Sequence, residues 1–162
     1  MVVVSGASLA PASHVSVVDG SDAGSTGQAA WLLRGVTSSE RYVRRAEHDA
    51  LAAREEQLGR SGSTRAALIP IRKTDAWWKL SQDQRRRIFE ETSHHIAVGL
   101  EYLPAVARRL YHAKDLGEPF DFLTWFEFAP DASGDFEQLV RRLRATEEWT
   151  YVEREVDIRL AR

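Results

Sequence analysis

The sequence contains no cysteine, and its single methionine is Met1. Without cysteine the protein has no disulfides, thiolate zinc sites, iron–sulfur clusters or haem attached through a C-x-x-C-H motif. Any haem would therefore be bound non-covalently, with histidine, tyrosine or the one methionine as its ligand. The chain has 162 residues, 43% of them hydrophobic, which is enough for one domain with a packed core.

Neither sign of charge is in excess, and long apolar runs are missing. Lys and Arg number 22 and Asp and Glu 24, so the formal net charge is -2, which is not typical of proteins that bind nucleic acid or anionic lipid. No apolar stretch approaches the length of a membrane-spanning helix, and residues 1–14 lack the basic start and apolar centre of a secretory signal. We expect a cytoplasmic protein with no nucleic-acid or membrane partner.

Tryptophan, in contrast, is abundant. Five tryptophans in this chain indicate a large apolar cavity or an oligomer interface, although core packing alone would also explain them. The stretch 18–30 (VDGSDAGSTGQAA) is rich in Gly, Ser and Asp, which is typical of a loop or linker. We therefore expect a partly flexible N-terminal segment, 1–30, followed by a single domain, 31–162.

The first part of this domain has the pattern of a strand followed by a helix. A short apolar run predicts a strand at 31–36. Ser38 or Ser39 is placed to cap a helix that continues to Leu58, and Gly59 follows as a typical C-terminal stop.

A second strand and helix follow. Alternation predicts a strand at 65–73, in which Pro70 favours an edge position or a bulge. Ser81 and Gln84 form a capping box that opens a helix, and Gly99 and Pro104 mark its end. The side chains that share the inner face of this helix are Ile88, Phe89, Thr92, His95 and Ile96.

The last third completes a recognisable order of elements. Strands at 105–112 and 120–128 form a hairpin, a helix spans 134–144, and apolar and charged residues alternate along a final strand at 152–160. From Arg65 the order is β-α-β-β-α-β, a ferredoxin-like unit. The preceding strand and helix resemble a shortened second copy. We therefore predict an α+β fold in which ferredoxin-like repeats close into a barrel.

His95 is a candidate ligand because it faces the predicted core. From spacing alone, a hydrogen-bonded core histidine is a commoner explanation than a ligand. His94 lies about 100° around the helix, so only one of the two points inward. His14, His48 and His112 have no spacing with carboxylates that is typical of a catalytic triad or a metal cluster.

Arg108 is the second candidate. Alternation in its strand places Val106, Arg108 and Leu110 on one face, so if the two apolar residues face the core, the arginine does too. A buried guanidinium requires an anion. That anion is either a neighbouring carboxylate, which is the commoner case, or a small anionic substrate.

Three stretches together resemble the chlorite dismutase family. They are residues 64–73 (TRAALIPIRK), residues 77–130, which begin WWKLSQDQRRRIFEETSHH, and residues 144–162 (RATEEWTYVEREVDIRLAR). The similarity runs from about Trp31 to the end of the sequence, and it is greatest to the short, dimeric branch. The resemblance implies a homodimeric enzyme with non-covalent haem b, built as a ferredoxin-like α+β barrel and acting on the small anion chlorite.

The resemblance also implies roles for individual residues. The second histidine of the S-H-H pattern is the family's iron ligand, which corresponds to His95, and the arginine thirteen residues later is the residue across the iron, which corresponds to Arg108. The other implied cofactor contacts are Glu148 as the carboxylate partner of the iron-binding histidine, Lys73 as a propionate contact, Trp77 as an aromatic neighbour, and Ile71 and Leu103 as haem-lining residues. Without the resemblance, Glu148 and Lys73 would be interpreted as surface charges.

Two positions depart from the family pattern. The family's glycine-rich opening strand with its tryptophan is not found, so either the start of the sequence is misassigned or the N-terminal unit is shortened by one edge strand. Glu55 stands where close relatives carry a glutamine that hydrogen-bonds the arginine across the iron. A carboxylate there would pair more strongly with Arg108 and hold it away from the iron, which would lower turnover.

The function implied by the resemblance is conversion of chlorite to chloride and dioxygen, with Arg108 retaining the hypochlorite intermediate. A different activity within the superfamily is that of a coproheme decarboxylase of haem biosynthesis, which Arg108 argues against because those relatives usually lack an arginine there. The sequence is also compatible with a non-enzymatic haem-binding or dimerisation barrel, a weak peroxidase or a nitric-oxide-sensing haem protein.

Overall fold

The computed structural model describes residues 1–18, 20, 29–37, 43–54 and 57–162. Within these ranges the strands are β1 (Val2–Ser5), β2 (Val36–Thr37), β3 (Arg65–Lys73), β4 (Val106–His112), β5 (Phe122–Phe128) and β6 (Val152–Ala161). The α-helices are α1 (Arg45–Ala52), α2 (Asp75–Lys79), α3 (Gln82–Arg86), α4 (His95–Glu101) and α5 (Ser133–Arg144). A π-helical segment at Arg87–Thr92 and a 3₁₀-helix at Glu147–Tyr151 complete the parts that shape the site.

The six strands form one antiparallel sheet in the order β1-β6-β3-β5-β4-β2. Its four central strands, β6-β3-β5-β4, have the order of a ferredoxin-like unit, and the element order from β3 to β6 is β-α-β-β-α-β. The predicted α+β, ferredoxin-like fold is therefore confirmed. The N-terminal part adds only β1 and β2, one at each edge of the sheet, and the helix α1.

Both faces of the sheet are covered by apolar side chains. On one face α5 buries the four residues that its periodicity predicted to point inward: Phe136, Leu139, Val140 and Leu143. On the other face a second cluster forms around Phe120, Leu123 and Val156, and residues of the N-terminal segment pack against it. Because both faces of the sheet are covered, charged side chains of β6 are buried together with the apolar ones.

The structure corrects the prediction at the start of the domain. Of the strand predicted at 31–36, only Val36 belongs to a strand, and β2 has just two residues. The helix predicted to reach Leu58 ends at Ala52, and Ser38 and Ser39 lie outside the described residues. The strand β1, which pairs with β6, was not predicted.

Pro70 lies in a central strand, so its predicted edge position is wrong. On the β5 side the pairing is continuous through Pro70 and Leu123. On the β6 side β3 pairs at Leu68 and again at Ile71, so the ladder is interrupted at the proline. Since proline has no N–H to donate, an interruption on one side lets it lie inside a sheet.

The single helix predicted after Ser81 is broken into three pieces. Its start is confirmed, because the N–H of Ser81 donates to Oε1 of Gln84 at 2.9 Å and α3 begins one residue later. The π-helical segment then replaces regular helix, and His94 adopts a left-handed conformation with φ of 52°. The helix ends at Glu101, between Gly99 and Pro104, as predicted.

Candidate functional site

A large cavity lies against the sheet. It has a volume of about 200 Å³ and is partly open to solvent, and its wall combines residues of strands β3 to β6 with residues of α1, α2, α4 and α5. Much of the lining is apolar or aromatic, including Ile69, Ile71, Phe89, Phe122 and Phe126. A wide apolar cavity with a few polar groups is typical of a cofactor or ligand site.

Seven of the eight residues predicted from the sequence line this one cavity: Ile71, Lys73, Trp77, His95, Leu103, Arg108 and Glu148. They come from β3, α2, α4, β4 and segments between elements, so only the fold brings them together. The eighth, Glu55, lies outside the described residues, and its predicted pairing with Arg108 stays a prediction.

Three of these residues form a hydrogen-bonded chain. Nδ1 of His95 donates to Oε2 of Glu148 at 2.7 Å, and Nζ of Lys73 donates to Oε1 of the same carboxylate at 2.9 Å. Lys73 also donates to the backbone carbonyl of Glu148 at 3.2 Å. Because Nδ1 is engaged, Nε2 is the histidine nitrogen that remains for a metal.

Glu148 is ionised in this setting although it is buried. Burial alone raises the pKa of its carboxyl, but electrostatic attraction and hydrogen bonds to His95 and Lys73 outweigh burial and lower the pKa to about 2. Its backbone N–H donates to Oγ of Ser93 at 3.0 Å, which fixes it beside the break before α4. The site therefore holds a permanent carboxylate against the histidine.

Lys73 lies beside Glu148 and two indole rings. Its ammonium donates to Glu148 and lies 4.7 Å from the ring centroid of Trp77 and 5.4 Å from that of Trp149. The propionate contact implied by the family resemblance stays a prediction. Only 2% of Lys73 and 4% of Glu148 is exposed, so their interpretation as surface charges is wrong.

The break in the helix explains how His95 reaches the cavity. Because α4 begins afresh at His95, its first N–H groups need an acceptor. The side chain of Glu90, from the π-helical segment, accepts from the N–H of Ile96 at 2.6 Å and from that of Ala97 at 3.3 Å. The ring of Phe89 stacks on the imidazole with 4.5 Å between centroids. His95 is therefore held by a cap, a stacked ring and a carboxylate.

The strand β4 supplies Arg108, the second candidate residue. Arg108, Leu110 and His112 alternate along it, and all three line the cavity. Arg108 is half-buried, while Leu110 is 37% exposed at the open part of the cavity. The predicted alternation, with Arg108 facing inward, is thus present in the strand, although Leu110 is not a core residue.

Sequence reasoning missed several residues of the site. Alternation along the last strand predicts Glu155 as an outward charge, but it is buried, lines the cavity, and accepts from Nε1 of Trp149 at 2.8 Å and from Nε of Arg144 at 2.8 Å. Asp121 is also buried and accepts from the N–H of Lys73 at 2.7 Å. Alternation alone cannot identify a charge buried against a partner from another element.

The described ranges contain no group of three or more His, Cys, Asp or Glu side chains that could hold a metal ion. In those same ranges no helix has the length and apolar character needed to cross a membrane.

Comparison with known proteins identifies the family. The sequence model described as chlorite dismutase matches residues 13–162. A chlorite dismutase from Ideonella dechloratans is 32% identical over 102 aligned residues, covering 59% of this chain, and the match spans a third (33%) of that relative's length.

Solved structures agree with this match. A dimeric chlorite dismutase from Nitrobacter winogradskyi is 61% identical, with a TM-score of 0.90 over 99% of this chain and 90% of that chain. A tryptophan variant of the enzyme from Candidatus Nitrospira defluvii, in complex with cyanide, is 30% identical with a TM-score of 0.65 over 78% of this chain and 52% of that chain. The protein described above therefore belongs to the chlorite dismutase family, whose members bind haem.

Proposed function

We propose that this protein is a haem b enzyme that converts chlorite to chloride and dioxygen, with His95 as the iron ligand and Arg108 as the residue that retains hypochlorite. The observation that carries the proposal is that both side chains line one cavity, with Nδ1 of His95 held by an ionised Glu148. The family membership supports a chlorite-converting haem enzyme in general terms.

The residues present fit a haem. His95 offers the ring nitrogen Nε2 to the cavity, and one imidazole nitrogen suits an iron that already has four porphyrin ligands. The apolar walls, with Ile71, Trp77 and Leu103 among them, suit the faces of a macrocycle. When bound, the haem iron would supply the redox chemistry that breaks and remakes bonds to oxygen.

On the His95 side the chain controls the electron density of the ligand. The carboxylate of Glu148 accepts the Nδ1 proton, fixes the tautomer and ring orientation, and makes Nε2 a stronger donor. Lys73 shares that carboxylate and so moderates its charge. These three residues together set how strongly the imidazole donates.

Arg108 supplies a fixed positive charge to the same cavity. Chlorite and hypochlorite are small anions, and the guanidinium of Arg108 attracts them in a cavity with mainly apolar walls, where Coulomb forces are stronger than in bulk water. A guanidinium does not give up its proton at physiological pH, so it holds an anion without protonating it. Retention of hypochlorite would favour its recombination to dioxygen over escape and oxidative damage.

We also propose that the protein is a homodimer. The Nitrobacter winogradskyi relative, 90% of which this chain covers, is a dimeric chlorite dismutase. Light scattering of the purified protein tests this directly, and a monomer at micromolar concentration would contradict it.

The decisive test of function is an oxygen-electrode trace of haem-loaded protein after addition of chlorite. Release of one dioxygen per chlorite supports the proposal. A protein that binds haem but releases no dioxygen overturns it. Decarboxylation of iron coproporphyrin in the presence of peroxide would instead identify an enzyme of haem biosynthesis. A haem-supplied protein without absorbance near 400 nm would identify a non-enzymatic domain.

A further inference from the structure

Gly99 is buried in the middle of α4, where its own backbone gives no reason for a glycine. The described residues with a left-handed glycine conformation are Gly6, Gly59 and Gly117, and Gly99 is not among them. A glycine at a regular helical position destabilises a helix relative to alanine. A buried glycine at such a position is typical of a close approach by another group.

The approaching group is the guanidinium of Arg108. An ideal Cβ built on Gly99 would lie 2.6 Å from Cζ and 2.5 Å from Nη2 of Arg108. Real Cβ atoms are not found within 3.0 Å of another heavy atom. The end of the arginine side chain therefore occupies the space that any side chain at position 99 would need.

The position of Gly99 on the helix connects this contact with the site. Gly99 follows His95 by four residues, so the two lie on the same face of α4, one turn apart. Arg108 reaches this face from β4, across the cavity wall. We propose that Gly99 is a positioning residue, whose missing Cβ lets the guanidinium lie against α4 and so sets where the positive charge stands in the cavity.

The contact between residues 99 and 108 does not depend on what the protein does. Its effect on anion binding rests on the proposed function, in which Arg108 holds a small anion beside the iron. The clashing atoms belong to the end of a flexible side chain, so we expect Gly99→Ala to move the guanidinium while the fold is kept.

A double-mutant cycle on the full chain tests the contact. The variants are Gly99→Ala, Arg108→Ala and their combination, unfolded by urea with and without added haem. We expect Gly99→Ala to lower the folding equilibrium constant when Arg108 is present and to raise it in the Arg108→Ala background, a coupling of about fivefold or more. Gly134→Ala is the matched control, because Gly134 is an exposed helical glycine with nothing within 4 Å of an added Cβ.

Fluoride binding to the ferric haem-loaded protein tests the positioning, with absorbance as the readout. We expect Gly99→Ala to weaken fluoride binding by roughly tenfold, comparable to Arg108→Ala, since each removes or displaces a charge-assisted contact. In the Arg108→Ala background the same glycine substitution should change the dissociation constant by less than about twofold, because the coupled partner is already gone. Gly134→Ala should leave it unchanged.

The outcomes of these experiments test the contact, the positioning role and the proposed function separately. Additive stability effects in the cycle would overturn the contact and with it the proposal. Coupled stability with equal fluoride loss in both backgrounds would overturn the positioning role and leave the proposed function intact. Failure of the chain to bind haem would overturn the proposed function, while the stability cycle would still decide whether Gly99 places Arg108.

Discussion

The carboxylate of Glu148 holds the imidazole of His95 at 2.7 Å and the ammonium of Lys73 at 2.9 Å, one with each of its oxygens. The imidazole and the ammonium thus share one buried carboxylate. This carboxylate is ionised because of its two partners and not because it contacts water. The charge that orients the proposed iron ligand is therefore supplied by β3 and by the 3₁₀-helix before β6, far apart in sequence.

The first prediction concerns this shared anion. Glu148→Gln leaves the buried ammonium of Lys73 without a counter-charge, and breaking a buried pair in this way costs about 3 kcal/mol of unfolding free energy. Urea denaturation of the haem-free chain measures the loss. The matched control is Glu147→Gln, the exposed neighbouring position, which should change stability by less than about 0.5 kcal/mol. Equal stability of the two variants would refute the structural importance of the pair.

The second prediction concerns Arg108. Arg108→Ala should retain haem but lose most of the oxygen yield, with turnover lowered by roughly 10²-fold, because a fixed charge facing a reacting anion is removed. It should also bleach faster as hypochlorite escapes. Arg109→Ala is the control, since Arg109 is the exposed next residue of β4. Wild-type oxygen yield and lifetime in Arg108→Ala would end the proposed role of the arginine.

The third prediction concerns the cap of α4. Glu90→Ala removes the acceptor of the N–H groups of Ile96 and Ala97, and loss of a helix cap costs about 1 kcal/mol. Since His95 is the first residue of that helix, the affinity for haem should fall together with stability. Both are measured by urea denaturation and haem titration. Glu91→Ala, at an exposed neighbouring position, should keep wild-type haem affinity; an equal loss there would contradict the capping explanation.

The fourth prediction concerns acid stability. Burial raises the pKa of Asp157, but hydrogen bonds and charges from Arg159 and Arg144 outweigh it and hold that pKa below the ordinary 3.8. A carboxyl with a lowered folded-state pKa stabilises the fold above its unfolded-state pKa, and this contribution disappears as the pH falls through the folded-state pKa.

Asp157→Asn should therefore be less stable than the wild type at pH 7, and the difference should shrink as the pH falls below 3.8. Urea midpoints measured from pH 7 downward provide the comparison, and the low-pH points serve as the internal control. A stability difference that stays constant across this range would show that the carboxylate charge is not the cause.

The fold from β3 onward was predictable because its signals are local. The inward face of α5 follows from a 3.6-residue period, and the hairpin of β4 and β5 follows from two apolar runs around a turn. Seven of the residues that the family resemblance implied line one cavity, although His95 and Glu148 are 53 residues apart.

The remaining features depend on contacts between residues that are far apart in sequence, which a local sequence pattern does not show. The π-helical segment and the left-handed His94 become favourable when Glu90 caps the next helix and Glu148 anchors His95. The charge of Glu155 is buried because Arg144 arrives from α5. Pro70 lies in a central strand because the β6 ladder is interrupted beside it. In each case a tertiary contact overrides the local preference.

The N-terminal segment covers the second apolar cluster, on the other face of the sheet. Leu9, Val15, Trp31 and Leu33 pack against it, and the indole N–H of Trp31 donates to the carbonyl of Ala10 at 3.0 Å. The N-terminal segment therefore shields this face of the sheet from water. Proteolytic cleavage near residue 30 would remove Leu9 and Val15 from this cluster, expose apolar surface and leave a product prone to aggregation, although the residues that line the cavity would all remain.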